Sequence, residues 1–113
     1  MSDARLHCFE AGRPDAPVLV LLHGFGGYAA GWQLVIDQLG DHVRILAFDL
    51  PGHAESLSYP GFGSPRTAAQ AVLSEMHKRG VRKARVAGHS MGGAVAVLMA
   101  LEEPEMIVSL TLV

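Results

Sequence analysis

A single cysteine, Cys8, stands in the 113 residues, so no disulfide can form within the chain and packing alone must hold it together. A lone thiol fits a reducing compartment, and a cytoplasmic location is the expectation. Charge is sparse: 18% of residues carry it and the formal net charge is −2. That leaves no basic face for nucleic acid or for an anionic membrane. Apolar runs stay short of the roughly 20 residues that cross a bilayer. The N-terminus lacks the basic head, apolar centre and small-residue cleavage site of a leader. Paired Cys/His spacings and the pattern G-x-x-x-x-G-K-[ST] are both missing, which argues against a zinc site and a P-loop. No metal or organic cofactor is expected. Repeats, linkers and low-complexity tracts are absent too. The last gap concerns histidine: six occur, and none follows Ser90.

What is present is half apolar, enough for a modest core in one domain over residues 1–113. Residues 5–11 form a weak strand candidate, followed by the turn Gly12-Arg13-Pro14-Asp15. Residues 18–22 are continuously apolar and read as a buried strand. Trp32, Val35, Ile36 and Leu39 recur at helical spacing, which predicts an amphipathic helix over 29–39, closed by Gly40. Residues 44–50 read as a strand ended by Pro51-Gly52, and 53–63 as a loop without period. Ser64-Pro65 offers an N-cap and a proline at the first helical position. Ala69, Val72, Leu73 and Met76 then mark one helix face, and Gly80 stops it. Residues 85–88 form a strand, 91–101 a helix apolar on nearly every side and so expected to be buried, and 109–113 one more strand. Strands alternating with helices predict an α/β fold, a mostly parallel sheet with helices on both faces.

Three motifs fall at the C-terminal ends of successive strands, where open α/β sheets bind ligands. The first is His23-Gly24-Phe25-Gly26-Gly27, a glycine-rich loop that exposes backbone N–H groups. The second runs from Asp49 through Pro51-Gly52-His53 to Ser56. The third is Gly88-His89-Ser90-Met91-Gly92 between strand and helix, the arrangement of a nucleophile elbow. Gly88 and Gly92 leave room where side chains would collide, and Ser90 at the apex takes a strained conformation beside a helix N-terminus. In acyl transfer, Ser90 would attack a carbonyl carbon while the Phe25 and Met91 amides hold the oxyanion. Losing one such donor typically costs about 2.7–4 kcal/mol. His23 and His89 read as support for the strand end and the elbow, and Asp49 and His53 as hydrogen-bonding ties for their loop. Cys8 reads as a small buried hydrophobe. A dinucleotide reading also exists: Gly24-x-Gly26-x-x-Ala29 follows a strand, and Asp49 ends the next one. It leaves His23, Pro51-Gly52-His53 and the Ser90 elbow without purpose.

Taken in order, the three motifs resemble the α/β-hydrolase family, in its branch of small esterases, lactonases and C–C hydrolases, over about residues 17–113. The resemblance implies Ser90 as nucleophile and Phe25 and Met91 as oxyanion-hole donors. It also implies that strand 44–50 lies between the N-terminal strand and strand 18–22. Ala54 stands where the family's second motif has glycine, which suggests a slightly different loop path. The family's triad acid and histidine follow the nucleophile. Here only Glu102, Glu103 and Glu105 do, so the chain reads as an N-terminal half, truncated after the strand that follows the nucleophile helix.

The expected activity is therefore hydrolysis of a small carboxylic ester or related acyl compound through a Ser90 acyl-enzyme. Two other readings stay open. One is a catalytically incomplete half-domain acting as a structural or assembly module. The other is a cofactor-free lyase or peroxidase on the same fold. The expected partner is a small acyl substrate, with self-association or pairing through the exposed final strand.

Overall fold

The computed structural model describes residues 5–113; residues 1–4 of the expected domain lie outside the described residues. Its centre is β2 (Val18–Leu22), five aliphatic residues that only a strand covered on both faces can bury. β2 pairs in parallel with β3 (Arg44–Phe48) on one side and with β4 (Ala84–Gly88) on the other. β5 (Ile107–Leu112) extends the sheet in parallel beyond β4, and β1 (Cys8–Gly12) closes the other edge antiparallel to β3. The order β1-β3-β2-β4-β5 puts β3 between β1 and β2. The alternation of the sequence thus becomes a mostly parallel α/β sheet.

Strand periodicity of two divides the core. Val20, Leu22, Leu46, Phe48 and Val86 face one layer, where α2 (Pro65–Lys78) contributes Val72, Leu73 and Met76, and α3 (Met91–Glu102) contributes Val95, Ala96 and Met99. Leu21, Ile45, Ala47 and Ala87 face a smaller layer under α1 (Gln33–Leu39), built on Ile36 with Trp32 and Val35. α2 starts as its sequence dictates. Ser64 Oγ accepts a hydrogen bond from the Thr67 N–H at 3.2 Å, Pro65 fills the first turn, and Gly80 leaves it at φ 71°.

Several expectations are corrected. The helix expected over 29–39 begins as a 3₁₀ turn, Ala29–Trp32, before α1. The loop at 53–63 contains a second one, Ala54–Ser56. β1 starts at Cys8 rather than residue 5. β3 stops at Phe48 because the next amides leave the ladder: Asp49 N–H donates to His7 O and Leu50 N–H to His23 Nε2. β5 starts two residues early, at Ile107, with Val108 bulged out between the pairs Ala84–Ile107 and Arg85–Ser109. α3 is not buried all round. Ala94, Val97 and Leu101 are exposed, because the sheet and α2 cover only its other face. No helix among the described residues is long and apolar enough to cross a membrane.

Candidate active site

The register sets Leu22 beside both Phe48 and Gly88, so the loops leaving β2, β3 and β4 emerge together at one edge of the sheet. The loop after β4 bends sharply. Ser90 sits at φ 54°, ψ −116°, a region that L side chains rarely adopt, and only Ala54 joins it at positive φ among the described non-glycine residues. Such a conformation costs on the order of 1–3 kcal/mol and persists only when its surroundings enforce it. Here they do. A Cβ at Gly88 would strike the Gly92 carbonyl, and one at Gly92 would strike the Leu22 carbonyl. The bend is then tied on both sides: His89 N–H donates to Leu22 O at 3.0 Å, and Ser90 N–H to Val113 O at 3.0 Å.

The tight turn uses the next amides as well. Gly92 N–H donates to His89 O and Gly93 N–H to Ser90 O, both at 2.9 Å. Between them the Met91 N–H has no partner among the described residues, which leaves one free donor at the start of α3. The Ser90 side chain caps nothing and is exposed. The loop after β2 lies against it: a Cβ placed on Gly24 would stand 3.3 Å from Ser90 Cβ and 3.0 Å from His89 Nδ1. Phe25, the next residue, likewise has an unpartnered N–H among the described residues. The structure thus brings Gly24, Phe25, Gly88, His89, Ser90, Met91 and Gly92 to one place.

Beneath them runs a buried polar seam. His23 Nδ1–H donates to Gly24 O at 2.7 Å while Nε2 accepts from the Leu50 N–H at 2.9 Å. Burial lowers the His23 pKa below the ordinary histidine value; the nearby His53 adds to the lowering, and the Gly24 bond and Asp49 oppose it. Asp49 is buried and accepts from the Ala29 N–H at 2.6 Å and the Glu55 N–H at 3.2 Å. His53 bonds Gly26 N–H and Pro51 O. Both nitrogens of His23 and of His53 are therefore committed to the backbone. Burial pushes the Cys8 thiol up to about 12, so it stays protonated.

Sequence reasoning named Ser56 only as the end of the second motif, without a role, and missed Phe62. Ser56 is fully buried, and its Oγ accepts from the His7 N–H at 2.8 Å. Phe62 packs its ring 5.1 Å from Phe25 and 5.2 Å from His53. No period marks either; the aromatic in a Gly-rich loop was the only available sign. The carboxylates after Ser90 are remote, with Glu102, Glu103 and Glu105 lining a cavity of about 940 Å³ with Arg82 and Lys83. That cavity opens at the other ends of the strands and holds none of the site residues. The dinucleotide reading fails on two counts: the helix starts at Ala29, and the Asp49 carboxylate is spent on two amides instead of facing a ribose.

This geometry defines a serine poised on a strand–turn–helix bend of an α/β sheet, and comparison with known proteins agrees. A family model described as the alpha/beta hydrolase fold matches residues 17–113, and the chain belongs to that family. It is 39% identical over 108 residues to the dihydrolipoyllysine-residue acetyltransferase component of the acetoin cleaving system of Pseudomonas putida, covering 96% of this chain and 29% of that protein. It is 39% identical over 101 residues to the pimeloyl-[acyl-carrier protein] methyl ester esterase of Yersinia pseudotuberculosis, covering 89% of this chain and 37% of the esterase. The crystal structure of Cfl2 from Burkholderia cenocepacia superimposes with a TM-score of 0.89 at 32% identity, over 96% of this chain and 37% of that one. The chain thus spans roughly a third of the relatives it matches.

Two outcomes follow from the site's construction. Ala54 sits at φ 44°, a left-handed conformation that glycine would take without strain. Ala54→Gly is expected to be neutral or stabilising by up to about 1 kcal/mol in urea denaturation, against the usual loss of about 0.5–1 kcal/mol for such a change. For His23 the folded pKa is depressed, so its contribution is full above the ordinary histidine value of about 6.5. On acidification the unfolded chain binds the proton first and stability falls. Unfolding midpoints from pH 7.5 down to 5.5 should drop more steeply in the native protein than in His23→Asn.

Proposed function

We propose that this chain carries the nucleophile and oxyanion hole of a serine hydrolase acting on a small carboxylic ester or related acyl compound. One observation carries the reading: an exposed, uncapped serine held at φ 54° with the unpartnered amide of Met91 beside it and that of Phe25 one residue from the Gly24 contact. The esterase named among the relatives supports the substrate class. In the reaction Ser90 Oγ bonds to the acyl carbon, its proton passes to a base, and the carbonyl π electrons move onto oxygen between the two amides. The tetrahedral adduct collapses by expelling the protonated alcohol. Water then attacks the acyl-serine, giving the acid and restoring the hydroxyl.

The base comes from outside residues 1–113 in this proposal. His23 and His53 have no free nitrogen, and the later carboxylates lie at the wrong end of the sheet. The 113-residue polypeptide alone is then a weak catalyst, since a serine without its base keeps only the small share due to the oxyanion hole. A fluorophosphonate probe should label Ser90 rapidly in protein expressed from its complete reading frame, and not in Ser90→Ala. Equal labelling of both would defeat the proposal.

For partners, we infer that the 113-residue polypeptide pairs with a second copy through β5. Its outer edge has no strand beside it among the described residues, and Val108, Leu110 and Leu112 are exposed. Sedimentation velocity should show self-association that Val108→Lys with Leu110→Lys weakens; a monodisperse monomer would contradict this.

A further inference from the structure

We infer that Phe62 is a specificity-determining residue: with Phe25 it forms an apolar ledge beside the oxyanion hole that takes the alkyl chain on the acyl side of the ester. The inference rests on the serine-hydrolase reading above and narrows its substrate class. Phe25 and Phe62 remain 64% and 59% exposed, yet their rings pack on each other at 5.1 Å. Against both lies the buried ring of His53, 5.7 Å from Phe25 and 5.2 Å from Phe62. The His53 nitrogens are committed to Gly26 and Pro51, so the three rings offer no free hydrogen-bonding group. Hydrocarbon suits such a surface. A hydroxylated or charged chain would lose hydration on it without compensation.

Phe62 is exposed but not loose. It fills the space that a side chain at Gly52 would need: a Cβ there would meet Phe62 Cβ at 2.5 Å. Gly61, at φ 108°, lets the chain pass against Thr67, where a Cβ would strike the Thr67 side chain. Close approaches at two glycines thus hold the ring where it stands. The ledge is continuous with the site because Phe25 belongs to both. A carbonyl oxygen held by the Phe25 N–H sits next to that residue's own side chain, and Phe62 extends the apolar surface by one more ring. The acyl oxygen occupies the hole in acylation and again in deacylation, whereas the alcohol leaves after the first step. A surface built on the donor residue stays beside the acyl group in both steps, which favours the acyl chain as its occupant.

The test uses protein expressed from its complete reading frame, with p-nitrophenyl acetate, butanoate, hexanoate and octanoate as substrates and Ser90→Ala as reference. In the native protein kcat/KM should rise with acyl length. In Phe62→Ala the octanoate-to-acetate ratio of kcat/KM should fall about tenfold, the effect of leaving about two methylene groups unburied. Phe62→Leu, which stays apolar, should keep most of the native ratio. A native profile flat in acyl length overturns the inference. So does an unchanged ratio in Phe62→Ala, even if both rates fall together, since Phe62 would then only support its loop or lie under another part of the chain. A Phe62 dependence seen only along a series of alkyl acetates, from methyl to octyl, also overturns it by placing the alcohol there. In each of these cases Ser90-dependent turnover leaves the serine reading standing. Turnover surviving in Ser90→Ala would instead overturn the serine reading, and this inference with it.

Discussion

Close backbone approach at the bend after β4 is the constraint on which the rest depends. Gly88, Gly92 and the Leu22 carbonyl occupy space that no side chain can share. That contact forces Ser90 into its unusual dihedrals and sets the N-terminus of α3 against the end of β2. A strained residue needs neighbours that cannot yield, and the sheet supplies them: β2 is buried in its last three residues and hydrogen-bonded on both sides. The bend is therefore stable because of where it stands. The same rigid edge brings the Gly24 loop within van der Waals range of Ser90.

The polar seam beneath the site solves a second problem. Three loops meet there, and loops carry amides that no ladder satisfies. His23, Asp49, His53 and Ser56 are all buried, and together they accept five backbone N–H donors: Leu50, Ala29, Glu55, Gly26 and His7 each give an N–H to one of them. Each histidine gives one ring nitrogen as donor and the other as acceptor. For His23 burial favours the neutral ring, since a charged imidazole would lose its hydration.

Much of this was legible from local pattern. Residues 18–22 could be little else than an interior strand, Ser64-Pro65 announced a helix start, and the Gly-x-Ser-x-Gly spacing encoded the bend because sterics leave it few alternatives. Other features depend on partners distant in sequence. Nothing near Gly26 says that its amide belongs to His53, 27 residues away. Nothing within 91–101 says which apolar face the sheet leaves uncovered. The early start of β5 was hidden by the bulge at Val108, which breaks the alternation a strand reading relies on. The break between Ala29–Trp32 and α1 was hidden because 3₁₀ and α spacing differ little over one turn.

The tie from Ser90 N–H to Val113 O also sets an order of events during biosynthesis. Leu22, the acceptor for His89, emerges from the ribosome long before the bend does, whereas Val113 emerges after α3 is complete. Nascent polypeptide can thus dock β4 and wind the helix while the serine's own amide still lacks its acceptor. Closure of the turn at Ser90 by this bond is therefore a late step in synthesis, open to completion only once the sheet has grown past it.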